Sequence, residues 1–344
     1  MNSHCKIRGI FTISHALLLA TTNAIAVPSP ISHNDQPNQQ NNWTTISCNS
    51  SNSRMPDGAW DSHHHVMDPI RFPPQANAQY TPGLYTVWDN AIFEHRLGCQ
   101  HDVMIQPSFY GNDNTFMIDS LKAYGPDRAR AVVVFDAANI TAEQLQEWDD
   151  LGVRGVRLNF ATSDTIPPAA ELVQTLRQYA KIVEPFDWVI QIYIDMDSIP
   201  GIEATIPTLG VRVVFDHIGD PSMPPPSLSP ESFDPYTLDG FGSMVRLLRQ
   251  GATYVKISGP YRLSKFPGPD YIDIDPLVLE LMRVAPSQLV YGSDWPHTRF
   301  DGLDIKPWTE HLLDLMEGDE DLALKLFKDN AVDLWNRRRG DVAV

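Results

Sequence analysis

G-A-W-D-S-H-H-H-V-M-D-P, residues 58 to 69, places three imidazoles side by side, His63, His64 and His65, at the end of a short apolar entry. The chain has 344 residues and is not otherwise rich in histidine. On a β-strand, residues two apart point to the same side. His63 and His65 are therefore expected to share one face, with His64 turned away into a helix layer or a loop. A lone histidine reads most simply as a hydrogen-bonded core residue. An H-x-H pair at a strand end, opposite an aspartate and a further histidine from late strands, reads as a functional pair.

From Gly58 onward one theme repeats: a short apolar, β-branched run, a polar loop, then a segment of helical spacing. The apolar runs lead from Ala59 and Trp60 into the histidines and continue at 102–107, 130–136, 155–160, 188–195, 211–218, 253–259 and 289–297. Segments 85–97, 114–124, 141–151, 169–182, 199–209, 238–250 and 276–284 separate them with helical patterns. Eight strands divided by helices over about 285 residues predict a single α/β domain, a (β/α)8 barrel. The rival, a doubly wound open sheet, ordinarily carries a glycine-rich phosphate turn after its first strand. None is present.

In such a barrel the functional groups sit where strands end and βα loops begin. Polar residues gather at those predicted ends: His63 and His65, Gln106, Asn159, Tyr193, Asp216 and His217, Lys256 and Ser258, Asp294 and His297. Arg154 and Arg157 flank the fourth strand and read as scaffold, which leaves Asn159 as that strand's pocket residue. Among the aromatic residues near these ends, Tyr80 is placed to wall a planar ligand, although core packing explains any one aromatic equally well.

The first 26 residues read as a secretory signal. Lys6 and Arg8 precede an apolar run, and Ala24-Ile25-Ala26 ends it with the small-x-small pattern of a cleavage site. Residues 27–55, rich in Asn, Gln, Ser and Pro, read as a loosely ordered arm, and 56–344 as the barrel. Losing two basic residues and no acidic one would move the formal charge from -17 to -19. Such a surface argues against nucleic-acid and anionic-membrane partners. A secreted protein leaves Cys48 and Cys99 open to pairing or to remaining free thiols, and offers Asn42, Asn49 and Asn139 as glycosylation sequons.

The ordered motifs D-S-H-H-H (61–65), Y-T-P (80–82), Q-P-S-F-Y-G-N-D-N (106–114), G-V-R-G-V-R-L-N-F (152–160), D-H-I-G (216–219), K-I-S-G-P-Y-R-L-S (256–264) and G-S-D-W-P-H (292–297) resemble the amidohydrolase superfamily. Within it they are most similar to the branch of 2-pyrone-4,6-dicarboxylate lactonase and the sugar lactonases. The resemblance implies a hydrolase acting on a lactone or ester. Asp294 would be the general base that activates water, and His63, His65 and His217 would polarise the carbonyl. Tyr193, Arg262, Tyr80, Gln106, Asn159 and His297 would bind substrate.

Zinc members of this superfamily draw a ligand from the fifth strand, where this chain has Gln191 and Tyr193. The expectation is therefore a metal-independent site. Should zinc be required, His63, His65 and Asp294 would hold it. The dicarboxylate lactonase is similar to a dianion receptor built from arginines. Here Asp220 stands after D-H-I-G and F-D-A-A (135–138) closes the third strand, so only Arg262 is retained. A small neutral or monoanionic cyclic or aromatic compound is the expected substrate, with Arg262 serving it or else bridged to Asp216 or Asp220. Two alternatives stand beside this reading: a zinc-dependent, non-oxidative decarboxylase of an aromatic acid, and a catalytically silent barrel that binds a small molecule. The proline-rich loop 221–235 reads as a stiff lid over the mouth or as a surface excursion.

Overall fold

The computed structural model describes residues 53–76, 78, 80–161, 166–225 and 233–337. The expected signal, Cys48, Asn42, Asn49 and residues 226–232 of the long loop lie outside them, and Cys99 is buried, with no disulfide partner among the described residues. Among the described residues no helix is long and apolar enough to cross a membrane.

Eight parallel strands run in sequence order: β1 (Trp60–His64), β2 (His101–Ile105), β3 (Ala129–Val133), β4 (Val153–Asn159), β5 (Val189–Tyr193), β6 (Val213–Phe215), β7 (Thr253–Ile257) and β8 (Leu289–Tyr291). The seam between β8 and β1 is closed just past the end of β8. Asp294 N donates to His63 O at 2.8 Å, and His65 N donates to Trp295 O at 2.8 Å. The expected (β/α)8 barrel is the fold.

Helices α1 (Val87–Leu97), α2 (Thr115–Tyr124), α3 (Ala142–Leu151), α4 (Ala169–Val183), α5 (Phe241–Leu248), the single turn α6 (Pro260–Leu263), α7 (Asp275–Val284), α8 (Lys306–Leu315), α9 (Glu320–Leu324) and α10 (Asn330–Asn336) form the outer layer. Local chemistry sets their ends. Thr86 and Asp89 form a reciprocal capping box at the start of α1, and the Thr141 hydroxyl caps α3. One expected helix is absent. Segment 199–209 forms two short 3₁₀ pieces, Met196–Gly201 and Ile206–Thr208, because Pro200 and Pro207 remove amide donors from what would be a helix interior.

Two apolar layers hold the barrel. The larger lies between strands and helices, while a smaller one fills the barrel floor with Trp60, Val103, Val132, Val214, Tyr254, Val290 and, from α10, Trp335. Trp335 closes that floor, its indole N–H donating to Ser62 Oγ at 3.1 Å. Above it the interior turns polar, with Gln191, Arg157, Asp216 and Lys256 buried.

Candidate active site

At β1 the chain satisfies two demands at once. The pairing register with β2 slips between Asp61 and His64, and this lets His63 face the interior although Asp61, two residues back, does not. His63 and His65 converge, their Nε2 atoms 3.3 Å apart. His64 turns outward, as its parity demands, and its Nε2 lies 3.2 Å from Asp102 on β2.

Asp294 follows β8 and meets both inward histidines, with Oδ1 3.7 Å from each Nε2. Its Oδ2 is gripped from behind: Tyr261 Oη donates at 2.6 Å and Arg262 Nε at 2.8 Å. His217, from the end of β6, stacks on the His63 ring at 4.7 Å between centroids and brings Nε2 to 4.0 Å from Asp294 Oδ2. Two glycines permit this crowding. A Cβ on Gly292 would meet His63 Cβ at 2.8 Å, and one on Gly259 would meet His217 Nδ1 at 2.8 Å. Six non-glycine residues in the loops after β6 and β8, namely His217, Ile218, Asp220, Asp294, His297 and Arg299, adopt positive φ. Backbone strain of this kind is held in place only where the surroundings over-determine it, and it clusters at functional sites.

Beneath the histidines lies a layer of paired charge. Asp216 Oδ2 accepts from Gln191 Nε2 at 2.9 Å and from Arg157 Nε and Nη2 at 3.3 Å, and its Oδ1 is 3.3 Å from Lys256 Nζ and from His63 Nδ1. Burial alone would raise both carboxyl groups. The facing charges prevail and hold Asp216, through Lys256, and Asp294, through Arg262, well below the usual carboxylate range. Both are anions at neutral pH. Burial drives the imidazoles the other way, His65 down to about 3, His217 to about 4 and His63 well below its ordinary value. All three rings are therefore neutral, and His65 must carry its proton on Nδ1, which donates to Ile105 O at 2.7 Å.

The remaining expected residues divide. Tyr193 ends β5 with its ring edge on His217 at 5.0 Å. Tyr80 meets Phe109 edge-on at 5.5 Å beneath the Arg299 guanidinium, and Asn159 ends β4 half-buried. His297 sits one layer back, edge-on to Tyr261 at 5.4 Å, with burial lowering it to about 4. Gln106 is turned to the scaffold, its amide donating to the Gly111 and Asp113 carbonyls. Arg262 takes neither expected carboxylate partner and pairs with Asp294 instead.

The two arginines read as scaffold occupy different layers. Arg154 does serve the helix layer, ion-paired with Asp149 at 3.1 Å, but Arg157 is buried inside the barrel with its guanidinium 5.6 Å from the Tyr193 ring centroid. The signal was available, since Arg157 lies two residues before Asn159 on β4 and shares its face. Lys256, named with the strand-end polar residues, emerges as the cation nearest His63.

A metal ion fits the donor set. Atoms of His63, His217 and Asp294 lie within 4.8 Å of one another. The separation of the His63 and His65 Nε2 atoms matches the roughly 3.3 Å expected for two nitrogens on a tetrahedral zinc at Zn–N of about 2.0–2.1 Å.

An amidohydrolase family model matches residues 60–337. The chain is 30% identical to a 2-pyrone-4,6-dicarboxylate hydrolase of Comamonas testosteroni, covering 82% of this chain and 91% of that protein. It is 28% identical to a 4-sulfomuconolactone hydrolase of Rhizobium radiobacter over the same shares. A solved structure of a putative 2-pyrone-4,6-dicarboxylic acid hydrolase from Pseudomonas putida superposes with a TM-score of 0.65 at 26% identity, covering 81% of this chain and 97% of that one.

Proposed function

Starting from a chain that belongs to the amidohydrolase family and is a hydrolase of ester bonds opening a small lactone, we propose that it does so with water activated by Asp294, without a required metal, on a neutral or monoanionic ring. The observation that carries this reading is the convergence of Asp294 Oδ1 with the Nε2 atoms of His63 and His65. Tyr261 and Arg262 hold the other carboxylate oxygen, so a single lone-pair-bearing atom faces the mouth. Water there gives a proton to Asp294 as its oxygen bonds the lactone carbonyl carbon. The carbonyl oxygen gains negative charge against the His63 and His217 rings, since His65 keeps its one proton on Nδ1. The ring C–O bond then breaks and the departing oxygen receives the proton.

Charge balance supports the metal-independent form. Two carboxylates, Asp216 and Asp294, already face three cations, Lys256, Arg157 and Arg262, so a divalent ion would enter a layer with no negative charge to spare. If one is bound, His63, His65, His217 and Asp294 hold it, and it supplies Lewis-acid polarisation of the carbonyl and a more acidic water. The zinc-dependent decarboxylase of an aromatic acid remains the second reading, favoured by the zinc-like spacing of the two imidazoles.

The same pairing supports the substrate class. Arg157 and Arg262 are each committed to a buried aspartate. Asp220 lies near Tyr193 and Arg262, where burial and Asp195 raise its carboxyl to about 7. A second anionic group on the ring would find acid rather than base. The test is a lactone panel differing only in carboxylate count, with neutral and monoanionic members expected to exceed the dianion by at least about 100-fold in kcat/KM, the cost of one unpaired buried charge. Preference for the dianion would sink the substrate class. We further propose secretion, supported by the pattern of residues 1–26.

A further inference from the structure

Beneath His63 lies a lysine with no part in the hydrolytic steps above. Lys256, on the inward face of β7, is fully enclosed, its ammonium 5.5 Å from the Trp335 ring centroid. A buried ammonium is costly unless charges and acceptors compensate it. Its neighbours are Asp216 Oδ1 at 3.3 Å and His63 Nδ1 at 3.4 Å. The contact with Asp216 is an ion pair. The contact with His63 has hydrogen-bond geometry. Lysine's ammonium has donors only, so His63 Nδ1 accepts.

A neutral imidazole that accepts at Nδ1 carries its proton on Nε2. The neighbouring His65 Nε2, 3.3 Å away, is bare because that ring's proton is on Nδ1 and faces Ile105 O. Two bare nitrogens at this distance would confront each other lone pair to lone pair, whereas a proton on His63 Nε2 satisfies both. We propose that Lys256 is a positioning residue that fixes His63 as the Nε2–H tautomer, so that the proton facing His65 Nε2 is the donor the ring turns to the lactone carbonyl oxygen when substrate binds. Hydrogen bonds then run in one direction, from Lys256 through His63 and His65 to Ile105. Without the ammonium, the remaining partner of His63 Nδ1 is Asp216, an acceptor. The proton moves to Nδ1, and a bare Nε2 faces the oxygen it should stabilise.

This inference rests on the metal-independent reading, because an ion held at His63 Nε2 requires the opposite tautomer. The test uses the full chain labelled with 15N-histidine. Long-range 1H–15N correlation, with the His63 signals identified by their loss in His63→Gln, gives the tautomer, and elemental analysis gives metal content on the same sample. The expected result is Nε2–H in the wild type. In Lys256→Met, His63 switches to Nδ1–H and kcat falls on the order of 100-fold while KM stays within about threefold, as for loss of one donor to a developing oxyanion. A metal-free, active wild type with His63 protonated on Nδ1 overturns the role of Lys256 and leaves the hydrolytic reading intact. Stoichiometric zinc with activity lost on chelation overturns that reading instead. Should Lys256→Met fail to fold, the wild-type spectrum alone decides.

Discussion

The two faces of β1 carry the same residue types to opposite ends. Inside, His63, with His65 just beyond it, meets Asp216 and Asp294, and each carboxylate has a cation within 3.3 Å. Outside, Asp61 and His64 meet Glu94 and Asp102, and the nearest guanidinium is Arg128, 3.6 Å from Asp102. The inner carboxylates are anions held low by their partners. On the outer face burial, then Asp61 and Asp102, push Glu94 well above the ordinary range, and burial raises Asp61. The lesson is that burial of acid and imidazole makes reactive chemistry only where a counter-charge keeps the acid ionised and a mouth admits substrate. Where no mouth admits substrate and the acids are left to burial, the same groups become scaffold. Asp61 accepts from His63 N and Ser293 N at 2.9 Å each and thereby ties the two strands that carry His63 and Asp294.

The largest effect should follow from breaking the inner cluster at its base. Asp294→Asn keeps the shape and removes the proton acceptor, and kcat for lactone opening is expected to fall by about 10³-fold or more. A loss below tenfold in steady-state kinetics would remove Asp294 from the chemistry. Next comes Asp216→Asn, which leaves Lys256 and Arg157 without their counter-charge. It should cost about 3–5 kcal/mol, read in thermal unfolding as a drop of roughly 10 °C.

Smaller and sharper is the rim. With its carboxyl raised to about 7, Asp220 is neutral below that pH and charged above it. The KM for a monoanionic lactone should therefore climb severalfold as pH rises through about 7. In Asp220→Asn that rise should vanish, and its persistence would assign the pH dependence elsewhere.

The outer face gives the smallest effect and one of opposite sign. Because the folded protein raises Glu94, the stability it contributes is complete below the unfolded pKa and is lost as pH rises toward the folded value. Glu94→Gln, which cannot ionise, should match the wild type at about pH 5 and exceed it in melting temperature by a few degrees at about pH 9. A destabilised Glu94→Gln at high pH would mean that the glutamate is ionised and paired.

Much of this arrangement was legible in the chain. Period-two alternation gave the strands and the split of His63 and His65 from His64, and the position of Asp294 after the last strand placed it at the mouth. Partner choice was not legible, because it depends on which strand ends meet across the barrel. Arg262 pairs with Asp294 rather than with Asp216 or Asp220, and Arg157 lies inside, although its parity with Asn159 announced the face. Nor did the sequence show that segment 199–209 would refuse a helix until Pro200 and Pro207 were weighed against its apolar spacing. The left-handed turns that aim His217 and Asp294 lie in loops, where no periodicity exists to read.

The central claim is that Asp294 activates water directly. The most direct measurement is the rate at which exhaustively chelated protein, with metal content fixed by elemental analysis, opens a neutral lactone, with Asp294→Asn run alongside. The account predicts that the wild type keeps its full rate without metal and that the variant loses it. Activity that disappears on chelation and returns with stoichiometric zinc would contradict it.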